Sequence, residues 1–280
     1  MDNNLGLIAR RARPVVVGGV PTFSRPDSQM VSASQFYEPS CRQRFDQMRF
    51  PLTLDRKAWE YAYVLHAIST YARTGHGARG LAFGCGKEIL TSILAAEGAS
   101  ILATDYVPER MSDRQWEARG LEDLYFEQFV DRETFARNVQ FSHLDMNAID
   151  DDLTGFDFCW STGSLEHIGG HSNGLAFIER AMACLKPGGI AVHTTEYTLT
   201  SDVAHYDTPD LSFYCRADIE GLASRLIGQG HTLVLNLDRG TTVADMHVDL
   251  PPYHAGHTLT AHFSSHVITS IGLIIQRSMI

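Results

Sequence analysis

Two glycines and a carboxylate, spaced as in nucleotide-binding proteins, are the first chemical signal in the sequence. Gly84 and Gly86 form a tight turn between an apolar strand, 81–83, and an amphipathic helix. A second apolar strand, 101–104, ends on Asp105. Glycines in such a turn let the backbone approach a ligand, and the carboxylate can accept hydrogen bonds from two ribose hydroxyls. The spacing therefore predicts half of a nucleotide-binding βαβ unit.

Two further residues are predicted to reach the same edge. Asp145 and Met146 follow a third predicted strand, 139–143. Because ligands bind at the carboxyl ends of parallel strands, Asp145 could accept a hydrogen bond from an adenine amino group, while Met146 offers a polarizable apolar face. A simpler interpretation of Asp145, as a residue that caps the next turn, stays open.

Glu166 and His167 are the candidates for acid–base chemistry. They lie just beyond a fourth strand, 156–160, where an acceptor would approach. An imidazole with an ordinary pKa of about 6.5 suits a general base at neutral pH, and Glu166 could orient it or bind the acceptor. The alternative is a histidine that packs against the ligand or caps the following turn.

These residues meet only if the chain folds as a doubly wound α/β sheet. The apolar pattern predicts seven mostly parallel strands in a Rossmann-like sheet with helices on both faces, with the fifth strand at 190–194. A helix is expected at about 55–73, where Trp59, Tyr63, Ile68 and Tyr71 could face the sheet. The charged stretch 109–137 is expected to form a solvent-facing helix or helix pair. Residues 1–55 are predicted to form an N-terminal arm or lid, and residues 56–280 the ligand-binding domain. Long loops inside a compact domain are usually functional, so the insertions at about 195–216 and 238–266 are predicted to bind substrate.

The stretch 80–197 resembles the class I methyltransferases that depend on S-adenosylmethionine (SAM). The resemblance rests on the glycine turn, on the segment Ser164-Leu165-Glu166-His167 and on Leu185-Lys186-Pro187-Gly188-Gly189. It implies SAM as cofactor, S-adenosylhomocysteine as product, and the following cofactor-binding residues: Phe83, Gly84, Cys85, Gly86, Asp105, Tyr106, Asp145, Met146 and Ser161.

The chain departs from the family pattern at two positions. Ala82 stands where the first strand usually carries an acidic residue, and Glu88 replaces the last glycine of the turn. The C-terminal segments 249–253 (DLPPY) and 269–275 (TSIGLII) are similar to those of a bacterial methyltransferase subgroup that we associate with surface-glycan and other specialised biosynthesis. The resemblance thus implies methyl transfer to a hydroxyl, or to another heteroatom, of a small molecule or glycan precursor.

The acceptor is predicted to contact polar and aromatic residues of the two insertions. These substrate candidates are Glu196, Tyr197, His205, Tyr214 and His254.

Composition narrows the class of protein. A net charge of −10 and a pI near 5.7 argue against a phosphodiester-binding surface, so nucleic acid is a poor substrate candidate. Five cysteines without a CxxC pair fit a reducing cytoplasm better than a disulfide framework. No apolar run reaches the roughly 20 residues that cross a bilayer, and no signal peptide is expected. The N-terminal arm could serve as a homodimer contact or as a lid equally well.

Three alternatives remain open at this point. A metal-assisted reaction would need ligands such as Glu166, His167 and His171, or the alternating set Asp245, His247 and Asp249, but thirteen histidines make such patterns frequent by chance, and no metal ligand is assigned. A dinucleotide-dependent oxidoreductase is disfavoured because Ile89 is too large for the third small residue of that fingerprint. A SAM-binding protein without catalytic activity would also explain the motifs.

Overall fold

A computed structural model describes residues 15–106, 116–253 and 258–279. The strands are β1 (Val15–Val16), β2 (Ser28–Met30), β3 (Arg79–Ala82), β4 (Ser100–Asp105), β5 (Val139–His143), β6 (Phe156–Thr162), β7 (Leu185–Thr198), β8 (Tyr206–Asp207), β9 (Ser212–Phe213), β10 (Val234–Asn236), β11 (Thr260–Phe263) and β12 (His266–Gln276). The α-helices are α1 (Pro39–Met48), α2 (Arg56–Tyr71), α3 (Leu90–Ala96), α4 (Arg132–Asn138), α5 (His171–Ala181), α6 (Arg216–Gly228) and α7 (Val243–Met246). Short 3-10 helices span Ala33–Tyr37, Leu121–Leu124, Leu165–His167 and Met182–Cys184.

The main sheet confirms the predicted Rossmann-like architecture. Its order is β1-β10-β2-β12-β7-β6-β3-β4-β5, with β11 paired to β12. The run from β7 to β5 is parallel, and β12 is antiparallel to its neighbours β7, β2 and β11. Within the described residues this sheet has ten strands, so the prediction of seven was too low: β1, β2 and β11 are additional. The carboxyl ends of β3, β4, β5 and β6 therefore share one edge, as the site prediction requires.

Helices cover both faces of the sheet and form two apolar cores. One core contains residues from α1, α2 and α3, including Trp59 and Tyr63. The other contains residues from α5 and α6, including Phe177 and Leu222. Helix α2 packs so closely on β12 that a Cβ added to Gly272 would lie 2.1 Å from the Tyr63 ring. This close approach fixes the position of α2 over the sheet.

The N-terminal segment contributes to the sheet. Strand β2 lies between β12 and β10, and Val31 N–H donates to the Ser270 carbonyl at 3.1 Å. Residues 1–14 lie outside the described part of the chain. The predicted action of this segment as a lid or dimer contact stays a prediction.

Several predicted boundaries need correction. The fifth strand was expected at 190–194, but β7 runs from Leu185 to Thr198, so the KPGG segment, Glu196 and Tyr197 lie in a strand and not in a turn or loop. The long partner β12 pairs with β7 from Ile190 to Thr198 and extends its carboxyl end, whereas at the start of β7 Leu185 pairs with Phe156 of β6 across a register shift. The charged stretch 109–137, expected to be a helix or helix pair, contains a 3-10 helix and the short α4 among its described residues.

Two further findings bear on the class of protein. Every cysteine is buried and has a free thiol. Among the described residues, no helix combines the length and the apolar character that crossing a membrane requires.

Candidate active site

The glycine turn lies against two other chain segments at the predicted edge. Gly84 and Gly86 have φ angles of +53° and +51°, a backbone region that favours glycine. A Cβ added to Gly84 would lie 2.8 Å from Ser164 Cβ and 3.0 Å from Met146 Sδ. The turn, the segment after β5 and the segment after β6 therefore meet, as the sequence predicted.

Asp105 ties the turn to the loop that follows β4. Its Oδ2 accepts hydrogen bonds from Gly86 N–H at 3.1 Å and Ala118 N–H at 2.8 Å, and its Oδ1 accepts one from Tyr106 N–H at 2.9 Å. Burial raises the pKa of Asp105, although these hydrogen bonds lower it. The Trp116 carbonyl accepts a hydrogen bond from Lys87 N–H at 2.9 Å, so residues 116–118 cover the turn.

Asp145 and Met146 occupy the end of β5 with different environments. Asp145 Oδ1 accepts a hydrogen bond from Asn147 N–H at 2.8 Å, which is the capping role that the sequence left open. Met146 is buried beside Gly84. Left-handed glycines, a buried thioether and the carboxylate of Asp105 are the residue types that suit an adenosine, so the site fits the nucleoside of SAM in its chemistry.

Glu88, one of the departures from the family pattern, is buried under this turn. Its Oε1 accepts a hydrogen bond from Trp160 Nε1–H at 2.6 Å, and its Oε2 accepts one from the Thr162 hydroxyl. Burial raises the pKa of Glu88 to about 8, although both hydrogen bonds lower it. The sequence marked this residue as unusual but did not indicate that it links the turn to β6.

A second group of side chains, three acidic and two basic, lies between α2 and the ends of β6 and β7. We call it the charged cluster and define it as Arg56, Lys57, Glu60, Glu166 and Glu196. Arg56 Nη1 lies 2.8 Å from both carboxylate oxygens of Glu196, and Lys57 Nζ lies 2.9 Å from Glu196 Oε1 and 3.1 Å from Glu60 Oε1. Burial alone would raise the pKa of Glu196, but Lys57 and Arg56 lower it to about 2.

The charged cluster holds three carboxyl groups and two cations, and Glu166 is the carboxyl group with the fewest partners. Its Oε2 accepts a hydrogen bond from the Thr195 hydroxyl at 2.9 Å, whereas its buried Oε1 has no hydrogen-bond partner among the described residues. Burial raises the pKa of Glu166, against the lowering by Lys57. A buried carboxyl group with an open oxygen and a raised pKa can accept a proton or a hydrogen bond from a ligand.

His167 points to a different part of the molecule. Its ring is exposed, and its Nδ1 lies 2.8 Å from the carbonyl oxygen of Asp210. The predicted pair therefore separates: Glu166 contacts β7, and His167 contacts the loop between β8 and β9.

The other candidates fall into three groups. Ser161 is fully buried, and its hydroxyl lies 2.8 Å from Nδ1 of His193, so the side chain faces the interior and not the glycine turn. Tyr197 and Tyr214 are buried side by side at the β7–β9 junction, and Tyr214 donates a hydrogen bond to the Leu165 carbonyl at 3.3 Å. His205 lies beside Asp218, and His254 lies outside the described residues.

Among the described residues, neither of the two ligand sets considered for a metal-assisted reaction comes together. Asp245 accepts hydrogen bonds from Ala33 N–H at 2.7 Å and from Thr242 N–H at 2.9 Å, so it caps α7 and anchors the N-terminal segment. Glu166, His167 and His171 each contact a different segment.

Sequence reasoning missed three members of the charged cluster: Arg56, Lys57 and Glu60. The prediction for this helix considered only its apolar residues. The sequence did contain a signal. Arg56, Lys57 and Glu60 lie near the start of a helix whose other residues are largely buried. Charges on such a helix need partners elsewhere in the fold.

The sequence profile of one family, described as "Methyltransferase domain", matches residues 56–232. The match includes α2, the glycine turn, β4 to β7 and Glu166. A search of curated proteins gave no match.

Solved structures with similar folds include several methyltransferases. One is a SAM-dependent methyltransferase from Clostridium acetobutylicum, 13% identical over 85% of this chain and 97% of that one, with a TM-score of 0.45. Another, from Thiobacillus denitrificans in complex with S-adenosylhomocysteine, is 18% identical over 51% of this chain and 52% of that one, with a TM-score of 0.36. YjhP from E. coli is 18% identical over 52% of both chains, with a TM-score of 0.35. The matched part thus spans about half of the last two proteins.

Proposed function

The chain belongs to the methyltransferase-domain family, and we propose that it uses SAM as its cofactor and methylates a hydroxyl, or another heteroatom, of a small molecule or glycan precursor. When bound, SAM would supply a methyl group on its sulfonium sulfur and would leave as the neutral thioether S-adenosylhomocysteine. The family match argues against the oxidoreductase alternative, because the matched segment contains the glycine turn itself. A cytoplasmic location is part of the proposal and is supported by the free cysteines.

The observation that carries the proposal is the meeting of Gly84, Asp105 and Met146 at one edge, with Glu166 at the end of the adjacent strand. Gly84 and Gly86 would let the backbone approach the nucleoside, Asp105 would accept from the ribose, and Met146 would lie against the adenine. Two oxygens of Asp105 already accept three backbone N–H groups. Since Oδ1 accepts only Tyr106 N–H, it can accept one ribose hydroxyl as the structure stands, and binding of both hydroxyls would require a donor such as Ala118 N–H from the covering loop to give way.

Glu166 is our first candidate for the group that takes the proton from an acceptor hydroxyl. Its open Oε1 is buried, and burial raises the pKa of Glu166 toward the range in which a base is effective at neutral pH. His167 remains the second candidate, since its ring follows Glu166 in the chain and is accessible to solvent. Glu196, Tyr197, His205, Tyr214 and His254 remain proposed acceptor contacts.

Calorimetry with SAM, S-adenosylhomocysteine and NAD tests the cofactor assignment. The wild-type protein should bind the first two and ignore NAD. Gly84→Val should abolish binding, because its side chain would enter the space between Ser164 and Met146. If this variant folds normally and binds SAM as tightly as the wild-type protein does, the glycine turn is not part of the cofactor site.

Turnover of two variants tests the proposed base. With an acceptor identified by screening hydroxylated small molecules and sugar nucleotides, Glu166→Gln should lower kcat by about 100-fold or more, with SAM affinity little changed. His167→Ala is the matched comparison, and we expect a smaller loss. The reverse order of effects would make His167 the base.

A non-catalytic SAM-binding protein is the second candidate. It is favoured by the hydrogen bonds that already occupy Asp105 and by the covering loop at 116–118. The wild-type protein would then bind SAM in the calorimetric test but consume none with any acceptor.

A further inference from the structure

Two histidines and an aspartate meet between α5 and α6. His171 Nε2 lies 2.9 Å from Asp218 Oδ1, and His205 Nδ1 lies 3.5 Å from Asp218 Oδ2. The two imidazole rings stack with centroids 3.8 Å apart and an angle of 8° between their planes. One potential ligand atom from each residue lies within 4.8 Å of the other two. None of the three belongs to the glycine turn or the charged cluster.

His171 supplies an independent sign that this group is incomplete. Its side chain is about nine-tenths buried, with 9% of the residue exposed. Its Nε2 is close to Asp218 but not aligned for a hydrogen bond, so the nitrogen is buried without a hydrogen-bond partner among the described residues. Buried polar atoms of this kind call for a partner that satisfies them.

We propose that His171, His205 and Asp218 bind a divalent transition-metal ion of the zinc type. Two imidazole nitrogens and one carboxylate oxygen form a common protein donor set for zinc, with water in the fourth position. Metal–ligand distances of about 2.0–2.2 Å in a tetrahedral site place the donor atoms about 3.4 Å apart, so the most distant pair must approach by up to about 1.4 Å. The two stacked rings must also turn so that a nitrogen of each faces the same ion. His205 is exposed and lies in the loop between β7 and β8, so it can make most of this movement.

The ion would fasten a loop to the domain. His171 begins α5, Asp218 lies in the first turn of α6, and His205 belongs to the loop that leads into β8. Strand β8, which this loop enters, is attached beside this point, because Asp207 Oδ1 accepts a hydrogen bond from His171 N–H at 2.7 Å. Farther along, the Asp210 carbonyl lies 2.8 Å from His167 Nδ1. Metal binding would therefore hold the 199–211 segment against the first turns of α5 and α6, and its role is structural.

Metal titration of the tag-free, full-length protein tests the site. The protein is first treated with a chelator and dialysed. Calorimetry should then show one Zn²⁺ ion bound per chain, and Zn²⁺ should raise Tm. Zn²⁺ should also displace Co²⁺, whose binding is followed by its visible absorption. His205→Ala should weaken Zn²⁺ binding at least about 100-fold and remove the rise in Tm, since one of three protein ligands is lost. Asp218→Asn should also weaken binding while its side-chain oxygen still accepts from Cys215 N–H.

His247→Ala is the matched control, because this exposed histidine lies outside the group. It should bind Zn²⁺ as the wild-type protein does. Equal binding by the wild-type protein and His205→Ala, loss of binding in His247→Ala, or no binding at one ion per chain would overturn the proposal. The test uses no methyl acceptor, so its outcome is independent of the proposed reaction.

Discussion

The two acidic regions at the end of the sheet differ in how completely their oxygens are hydrogen-bonded. Beside the glycine turn, each carboxylate oxygen of Asp105 and Glu88 accepts at least one hydrogen bond. In the charged cluster, Arg56 and Lys57 neutralise Glu196, while Glu166 Oε1 remains open. The glycine turn is therefore held in shape by hydrogen bonds, whereas the charged cluster keeps one carboxylate oxygen without a hydrogen-bond partner among the described residues.

The largest expected effect comes from removing a cation of the charged cluster. Arg56→Met leaves buried Glu196 with Lys57 as its remaining cation, and we expect a loss of about 3 kcal/mol in the free energy of unfolding. Urea denaturation measures this loss. The double variant Arg56→Met/Glu196→Met should recover much of it, because no uncompensated charge remains. A double variant as unstable as the single one would contradict the ion-pair argument.

Glu88 should make stability depend on pH. Its pKa is raised from 4.5 to about 8, so the folded state binds more protons than the unfolded state between these values. Stability from this group is therefore fully present below about pH 4.5 and is lost as pH rises through 8, by an amount on the order of a few kcal/mol.

The Glu88→Gln variant isolates this contribution. Its free energy of unfolding, measured in urea from pH 5 to 8.5, should decline less with rising pH than that of the wild-type protein. Parallel pH profiles for the two proteins would show that Glu88 is ionised in the folded state.

Asp105 should matter for both stability and cofactor binding. Asp105→Ala leaves Gly86 N–H and Ala118 N–H without their acceptor, which we expect to cost about 2 kcal/mol and to abolish SAM binding. Asp145→Ala, at the same edge, removes a single capping bond and should cost about 1 kcal/mol or less. Thermal unfolding measures the stability of the two variants, and calorimetry measures their SAM binding. Equal losses in both variants would contradict the different roles assigned to Asp105 and Asp145.

Lys57→Met should have the smallest effect. About half of this side chain is exposed, so solvent screens its ion pairs with Glu60 and Glu196, and we expect a change below about 1 kcal/mol. A loss as large as that of Arg56→Met, measured in the same urea titrations, would mean that solvent does not reach the charged cluster.

Local patterns predicted the parallel centre of the fold well. The third strand was placed at its observed bounds, 139–143, and the helix expected at about 55–73 is α2, Arg56–Tyr71. The glycine turn and Met146 were also predicted to share an edge, because the rule that relates strand ends to ligand sites is independent of side-chain detail.

Contacts between distant segments could not be predicted in the same way. Strand β2 has three residues and gains its place from β12 and β10, which lie more than 200 residues away in sequence. The orientation of Glu166 toward Thr195, and of His167 toward Asp210, depends on the 3-10 helix Leu165–His167. From their adjacent positions after the fourth predicted strand, Glu166 and His167 were both expected to face the acceptor.

The placement of β2 has a consequence for how the chain completes its fold. The Ser28 hydroxyl accepts a hydrogen bond from Ile274 N–H at 3.0 Å, across 246 positions of sequence. During synthesis, the segment around Ser28 leaves the ribosome long before β12 exists, so one side of β2 stays unpaired until nearly all of this sequence has been made. Exposed strand edges favour association with other chains, so we expect β2 to be open to such association until β12 pairs with it.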